Sequence, residues 1–489
     1  MFFVAAVDRA AAETSGDFGY QLINGGAEVE ITGYHGAGGH VEIPETIDGK
    51  PVTSIGQGVF YFCTSLTSVS LPNSLKNIGN GAFQQCTFLT SLHIPSNVTT
   101  IGEAAFFFCL SMIEIDVNAS NPNYASADGV LYDKPFATLI QYPGARVGAF
   151  ALPSSVTSIG AGAFAGSASL TSLVIPSGVT SIKKWAFEYC TSLTSVSIPN
   201  GVTVVENFTF DHCTSLSYVA MPNSVNSIGK GAFEDCTSMI SLNLPNSVTT
   251  VGYGAFQQCA SLASVTIGSG VMSIGGYAFA YCNALISVAI PIGVTIVGQG
   301  AFSFCISLIE IHVNASNPNY ASVDGVLYDK AITALIQCPG GRTGTIAVAD
   351  SVTTIGYKAF AGCAFLTSVT LPSGVTTIGI VAFLSCTSLT SITFLGLVAP
   401  TTVGVNWILD TNAGILGHAY AASNFPAPDG DFHGLTMGAV IPVAPGVPTG
   451  LSATGGNTQV VLAWSAPASD GGSAITNYSV YRSTAETGT

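Results

Sequence analysis

Charge is what this sequence has least of. Of its 489 residues only 12 are Lys or Arg and 27 are Asp or Glu. Charged side chains therefore make up 8%, where about 25% is ordinary. The net charge is −15 and the bases form no cluster. Nucleic acid and anionic membranes both require a density of Lys and Arg, so neither is expected as a partner. No apolar run approaches the ~20 residues that cross a bilayer as a helix, which excludes membrane insertion of that kind. Signatures of chemistry are missing as well. There is no HExxH, no GxSxG and no CxxC pair, the seven His are scattered, and GAGGH at Gly36 is followed by no helical pattern. The expectation is no enzyme, no catalytic residue, no metal ligand and no cofactor.

What is present is apolar and periodic. Hydrophobic residues make up 48%, so the surface must be clothed mainly in Ser, Thr, Asn and Gly. Phe followed three residues later by Cys recurs at Phe60, Phe83, Phe106, Phe187, Phe210, Phe233, Phe256, Phe279, Phe302, Phe360 and Phe383. The step is 23 residues within each run, and Phe164 keeps the period with Ser167 in the Cys place. Two steps, Phe106 to Phe164 and Phe302 to Phe360, are 58. A fixed period in this range signals a solenoid whose laps stack on one another. One unit reads LTSVSLPNSLKNIGNGAFQQC from Leu66. Leu66, Val69 and Leu71 form an L-x-x-L-x-L strand, Pro72 ends it, and LKNIG is a second extended piece. Ala82, Phe83 and Cys86 sit at helical spacing, which predicts about one turn of helix aiming Phe and Cys inward.

This pattern closely resembles the BspA-like leucine-rich repeat family, whose units read roughly IPxxVTSIGxxAFxxCxSLTSV. LPNSVTTVGYGAFQQCASLASV, from Leu244, is nearly that unit outright. The resemblance covers about residues 33–394. It implies a leucine-rich repeat solenoid of 23-residue units, a β-rich α/β fold with a parallel concave sheet and short helical turns. It further implies a secreted or surface-attached bacterial protein engaged in adhesion and binding.

Equivalent residues in stacked laps lie about 4.8 Å apart, a separation at which disulfides are allowed. Equivalent side chains point the same way, however, and Cys63, Cys86 and Cys109 are three in a row, so one would be left over. Ser167 in the Cys position also argues against bridges or a metal. The row typified by Phe83, Cys86, Phe187, Cys190, Phe233, Cys236, Phe256 and Cys259 is therefore expected to be a buried, reduced packing ladder. Cys338, in LIQCPG where the matching stretch has Tyr142, is expected to be incidental.

The two long steps hold matching inserts 196 residues apart, NASNPNYASADGVLYDKPFATLIQYPG from Asn118 and NASNPNYASVDGVLYDKAITALIQCPG from Asn314. GVLYDK and ATLIQYP read as a hairpin, giving β-hairpin inserts at about 118–145 and 314–341. Asp128, Asp133, Asp324 and Asp329 lack the spacing of an EF-hand and read as turn residues.

Flanking Val69 and its equivalents, the outward strand positions form a lawn of Ser and Thr. Glu114, Asp116, Glu310, His312 and Tyr218 break it and are the candidate binding residues on the concave face. The domain reading is then 1–16 leader remnant or disordered, 17–50 an N-terminal β cap, 51–394 the solenoid, and 395–443 a degenerate C-terminal repeat, cap and linker. Residues 444–489 resemble the first part of a fibronectin type III domain, a truncated, partial β-sandwich. Leu451 would lie in its first strand, Trp464 in its second, and Tyr478 and Tyr481 in its third. The expected function is a monomeric, non-catalytic extracellular or cell-surface scaffold for adhesion through an extracellular protein or glycan ligand. The rival expectations are an accessory region of a secreted polysaccharide-degrading enzyme, and a structural surface spacer.

Overall fold

Twenty-three residues close one lap through three hydrogen-bonded columns, as the lap from Pro72 to Ile94 shows in a computed structural model of the chain. Residues 13–442, 447–456, 459–467, 477 and 478 are described; residues 1–12 of the expected leader and Tyr481 lie outside them. The chain divides into two units, Met1–Lys330 with Pro339–Gly341, and Ala331–Cys338 with Arg342–Thr489.

In the first unit, Leu75 N–H returns to Pro72 O at 3.1 Å and turns the chain. The two-residue strand Asn77–Ile78 pairs in parallel with Ser54 and Ile55 on one side and Thr100 and Ile101 on the other. After the Phe turn, Ser91–Ile94 pairs in parallel with Glu114–Val117. Ile78, Leu92, Ile94 and Ile115 are buried, while His93 and Asp116 stand outside, as the period-2 alternation of strands demands.

The Phe turn is not the expected turn of helix. Ala82, Gln84 and Cys86 close back on Gly79, Gly81 and Phe83, at 3.2, 3.0 and 3.2 Å. Between them, Phe83 N–H and Gln85 N–H point along the stack, to Ala105 O at 2.8 Å and Phe107 O at 2.7 Å. That alternation requires the backbone to reverse hand at Gly81 (φ +58°) and Gln85 (φ +60°). A helix would direct every N–H along its own axis and leave the laps unjoined at this edge. The lateral bonds create a third column, and the helical spacing of Ala82, Phe83 and Cys86 serves it equally well. Among the described residues the one helical segment is the short 3-10 turn Asn24–Gly26.

Inside the turns, the rings of Phe164, Phe187, Phe210, Phe233, Phe256, Phe279 and Phe302 stack at centroid distances of 5.0 to 5.6 Å with planes within 18°. Phe83 packs in the same way between Phe60 and Phe106. The thiols have a partner of their own. Cys86, Cys190, Cys236 and Cys259 donate to the carbonyls of Phe60, Phe164, Phe210 and Phe233 in the preceding lap, at 3.1 to 3.2 Å. All twelve cysteines are free and eleven are buried. Burial pushes the Cys109 and Cys305 thiols up to about 12. Fully burying a Phe stabilises by about 1.5–3 kcal/mol, against a net of about 1 kcal/mol for a neutral hydrogen bond. The rings carry the row, and the thiols fill and satisfy it.

Each insert supplies a lap of its own. Tyr124–Ala127 and Val130–Asp133 pair antiparallel around Asp128-Gly129, and Thr138–Gln141 then pairs antiparallel with Leu131 and Tyr132 and parallel with Ser158-Ile159. Buried Asn121 holds the entry. Its amide donates to Pro95 O and Val98 O at 2.8 and 3.0 Å, and its Oδ1 accepts from the N–H groups of Asn123 and Tyr124. Asn317 makes the matching bonds in the second insert. Tyr142 N–H then reaches Ala163 O at 2.7 Å, and its ring lies 5.0 Å from Phe164, so Tyr142 occupies the Phe row. In the second unit Cys338 N–H reaches Ala359 O in the same way, and the Cys363 thiol lies 3.7 Å from Cys338 O. Cys338 is a buried member of the row rather than an incidental residue.

Among the described residues the first unit opens with Glu13–Ser15 antiparallel to Phe18–Ile23, which pairs antiparallel with Glu28–Tyr34, the latter running parallel to Lys50–Ile55. In the second unit, Leu366–Leu371, Ser391–Phe394 and Leu416–His418 pair in parallel. There Phe383 packs edge-on against buried Trp407. Thr449–Gly456 and Gln459–Ser465 form an antiparallel hairpin, and Trp464 meets Tyr478 at 5.4 Å.

Candidate functional site

The sequence places the working surface on the sheet strands, whose outward residues the structure leaves open. Glu114 and Asp116 lie on Glu114–Val117, Tyr218 on Tyr218–Ala220, and Glu310 and His312 on Glu310–Val313. These strands belong to three different two-stranded sheets, so the five residues do not converge. Parallel register sets Asp116 beside His93, and His93 Nδ1 meets Asp116 Oδ2 at 2.7 Å. His312 Nε2 instead meets Glu310 Oε1 at 3.0 Å on its own strand. Both pairs are solvated, and pairs of that kind contribute little, about 0–1 kcal/mol.

Glu114 and Glu310 have a structural neighbour that accounts for their position. Ile115 N–H is taken by Gly129 O and Val117 N–H by Ser126 Oγ, at 2.8 and 3.0 Å, so the insert and not another strand covers this edge. Ile311 and Val313 bond to Gly325 O and Ser322 Oγ in the same way. A Cβ at Gly129, where φ is +72°, would lie 2.8 Å from the Glu114 Cβ. The charges that interrupt the hydroxyl lawn therefore mark sheet edges, where charge discourages further strand pairing.

Large apolar side chains left open on this face include Tyr218, Ile240 and Ile286, exposed by 59%, 60% and 53%, and also Ile113, Val174 and Ile309. Ile240 and Ile286 stand at the entry to Ser241–Asn243 and Ser287–Ile290. Sequence reading passed over them because the lawn was counted only on either side of Val69, and this position lies one residue further out.

A second concentration of chemistry lies on the Phe turns of the same unit. Glu188, Asp211 and Glu234 follow Phe187, Phe210 and Phe233, and Tyr189, His212 and Asp235 come next. Inter-lap bonds fix their register: Tyr189 N–H to Asp211 O at 2.8 Å, His212 N–H to Glu234 O at 2.8 Å, and Asp235 N–H to Gln257 O at 2.9 Å. Burial, with Asp211 adding to it, pushes the Glu188 carboxyl up to about 8, and burial pushes Glu234 up to about 6. Asp235 is raised mainly by burial. His212 is raised by its hydrogen bond to Asp211. The sequence expected no such grouping, since its members are 23 residues apart. Writing the laps in register brings them into two columns.

Comparison with known proteins agrees with the lap geometry. Residues 40–127, 144–239, 205–322 and 342–402 match the BspA type Leucine rich repeat region, together more than half of the chain. No curated protein matches. A leucine rich cell surface protein from Faecalibacterium prausnitzii is similar at 24% identity over 88% of this chain and 95% of its own, with a TM-score of 0.40. A leucine-rich repeat protein from Bacteroides ovatus shares 24% identity over 84% of this chain and 95% of its own, with a TM-score of 0.44. The Leucine Rich Repeat protein of T. pallidum is 30% identical over 47% of this chain and 90% of its own, with a TM-score of 0.29. On the repeated match and the lap architecture, the chain belongs to the BspA type leucine-rich repeat family.

Proposed function

We propose that the chain is a non-catalytic extracellular or cell-surface scaffold that binds a protein or glycan ligand through its sheet face. The observation that carries this reading is the exposure of Tyr218, Ile240 and Ile286 within four consecutive laps of an otherwise hydroxyl-rich surface. Apolar anchors inside a solvated rim are how partner-binding surfaces concentrate affinity. Membership of a family of secreted and surface-attached bacterial proteins supports the location. The described helical content includes nothing long and apolar enough to cross a membrane. The hairpin Thr449–Gly456 with Gln459–Ser465, and the Trp464 to Tyr478 contact, support reading the tail as a fibronectin type III-like module.

The test is to offer the purified chain immobilised extracellular matrix glycoproteins and an array of polysaccharides. Saturable binding to one of these classes is expected. Replacing Tyr218, Ile240 and Ile286 together by Ser should weaken it at least tenfold while leaving the melting temperature in place. Absence of saturable binding to both classes, or an affinity indifferent to the triple substitution, contradicts the reading.

A further inference from the structure

The Phe-turn cluster lies apart from the sheet face and makes a separate argument. Asp211, His212 and Asp235 each present one ligand-type atom, and these atoms all lie within 4.8 Å of one another. Two distances within the group differ in kind. His212 Nδ1 stands 2.7 Å from Asp211 Oδ1, the length of a charge-assisted hydrogen bond, whereas His212 Nε2 stands 3.3 Å from Asp235 Oδ2. The longer one equals the ligand-to-ligand edge, about 3.3–3.4 Å, of a tetrahedron around an ion with 2.0–2.1 Å bonds. An imidazole held at one nitrogen by a carboxylate and offering the other outward is the usual arrangement of a metal-binding His.

The surroundings already hold this geometry. The Tyr189 ring stacks on His212 at 4.2 Å and 14°. Gln258 Nε2 donates to Asp235 Oδ2 at 2.8 Å, and Gln257 Nε2 to Glu234 Oε1 at 2.9 Å. His212 and Asp235 hold left-handed backbone angles of +56° that the inter-lap bonds impose. One atom of the group has no such partner. Glu188 Oε2, one lap from Asp211 in the same column, is buried without a hydrogen bond. A buried carboxyl oxygen left without a hydrogen bond is costly.

We propose that Asp211, His212 and Asp235 form a binding site for a divalent transition-metal ion of the zinc class. His212 Nε2 and the Asp235 carboxylate are ligands, Asp211 holds the imidazole in place through Nδ1, and water takes the remaining positions. Imidazole with carboxylate selects zinc-like ions, while calcium takes six to eight oxygens, a number this group does not offer.

Zinc titration of the chelator-treated full chain, followed calorimetrically, should show one saturable equivalent. Cobalt should give a visible absorption band, and calcium should not bind. Asp235→Asn and His212→Gln should each weaken zinc at least tenfold. His93→Gln, on the sheet face, should leave it unchanged. Zinc should also protect His212 from diethyl pyrocarbonate in the unsubstituted chain, a readout that does not depend on any variant folding. No saturable zinc binding, calcium binding in preference to zinc, an isotherm unmoved by Asp235→Asn, or an unprotected His212 each overturns the proposal. Sheet-face binding survives any of these results, because it uses different residues.

Discussion

The sheet column and the Phe-turn column of the first unit handle one 23-residue period in opposite ways. On the sheet, outward residues sit in extended strands and are mostly Ser and Thr. The charged exceptions Glu114 and Glu310 sit where an insert closes the sheet edge. On the turn, the inward residues are uniform and the outward ones vary. Phe62, Phe108, Tyr189, His212, Tyr281 and Phe304 all hold a left-handed backbone near +60°. Bulky side chains are rarely found there, and the inter-lap bonds impose it. Uniformity in this fold marks what closes the lap. Variation at an edge marks where an insert closes the sheet, and variation in mid-stack brings unlike side chains from different laps side by side.

The largest test of that contrast is Phe233→Ala. Removing a buried ring should cost about 3–5 kcal/mol. Because laps contact only their neighbours, hydrogen exchange should rise around residues 205–260 and remain protected further away. Loss of protection along the whole first unit would break the one-dimensional picture.

Alkaline pH should act on the same row. Burial raises the Cys109 and Cys305 thiols from 9.0 to about 12. Between those values the unfolded chain gives up protons that the folded chain keeps, so stability is fully present below pH 9 and is lost as pH rises toward 12. Each such thiol contributes a slope of up to about 1.4 kcal/mol per pH unit. Chemical denaturation at pH 8 and pH 10 should show a marked fall, and equal stability at both would contradict the buried-thiol account.

Ser167 sharpens the comparison within the row. Its buried hydroxyl has no partner, so Ser167→Ala should stabilise by about 1 kcal/mol, the lower end of the cost of an orphaned polar group. A loss of stability would mean that the hydroxyl is satisfied. On the sheet, Ser264→Ala and Glu114→Gln should each change stability by less than about 0.5 kcal/mol, the range of ordinary surface substitutions. A larger change would assign the sheet face a structural role.

The inward pattern was legible because burial repeats with every lap. Phe83, Leu92 and Ile94 declare themselves through spacing alone. The hand of the turn was not, since Phe and Cys three residues apart fit a helix and a run of tight turns equally. Tyr142 and Cys338 were missed in the row because the inserts restore it with different side chains. The open Ile240 and Ile286 and the His212 cluster depend on which residues neighbour one another across laps. His212 and Asp235 are 23 positions apart in the chain and 3.3 Å apart in space, and only alignment in register reveals that.

The central claim, that the Phe and Cys row is reduced packing rather than disulfide or metal chemistry, is tested most directly by thiol titration without reductant. In denaturant all twelve cysteines should react with Ellman's reagent, while in the folded chain the eleven buried ones should stay silent and the half-buried Cys63 alone should respond. Recovery of only a few thiols in denaturant, or ready reaction of the row in the folded chain, would contradict it.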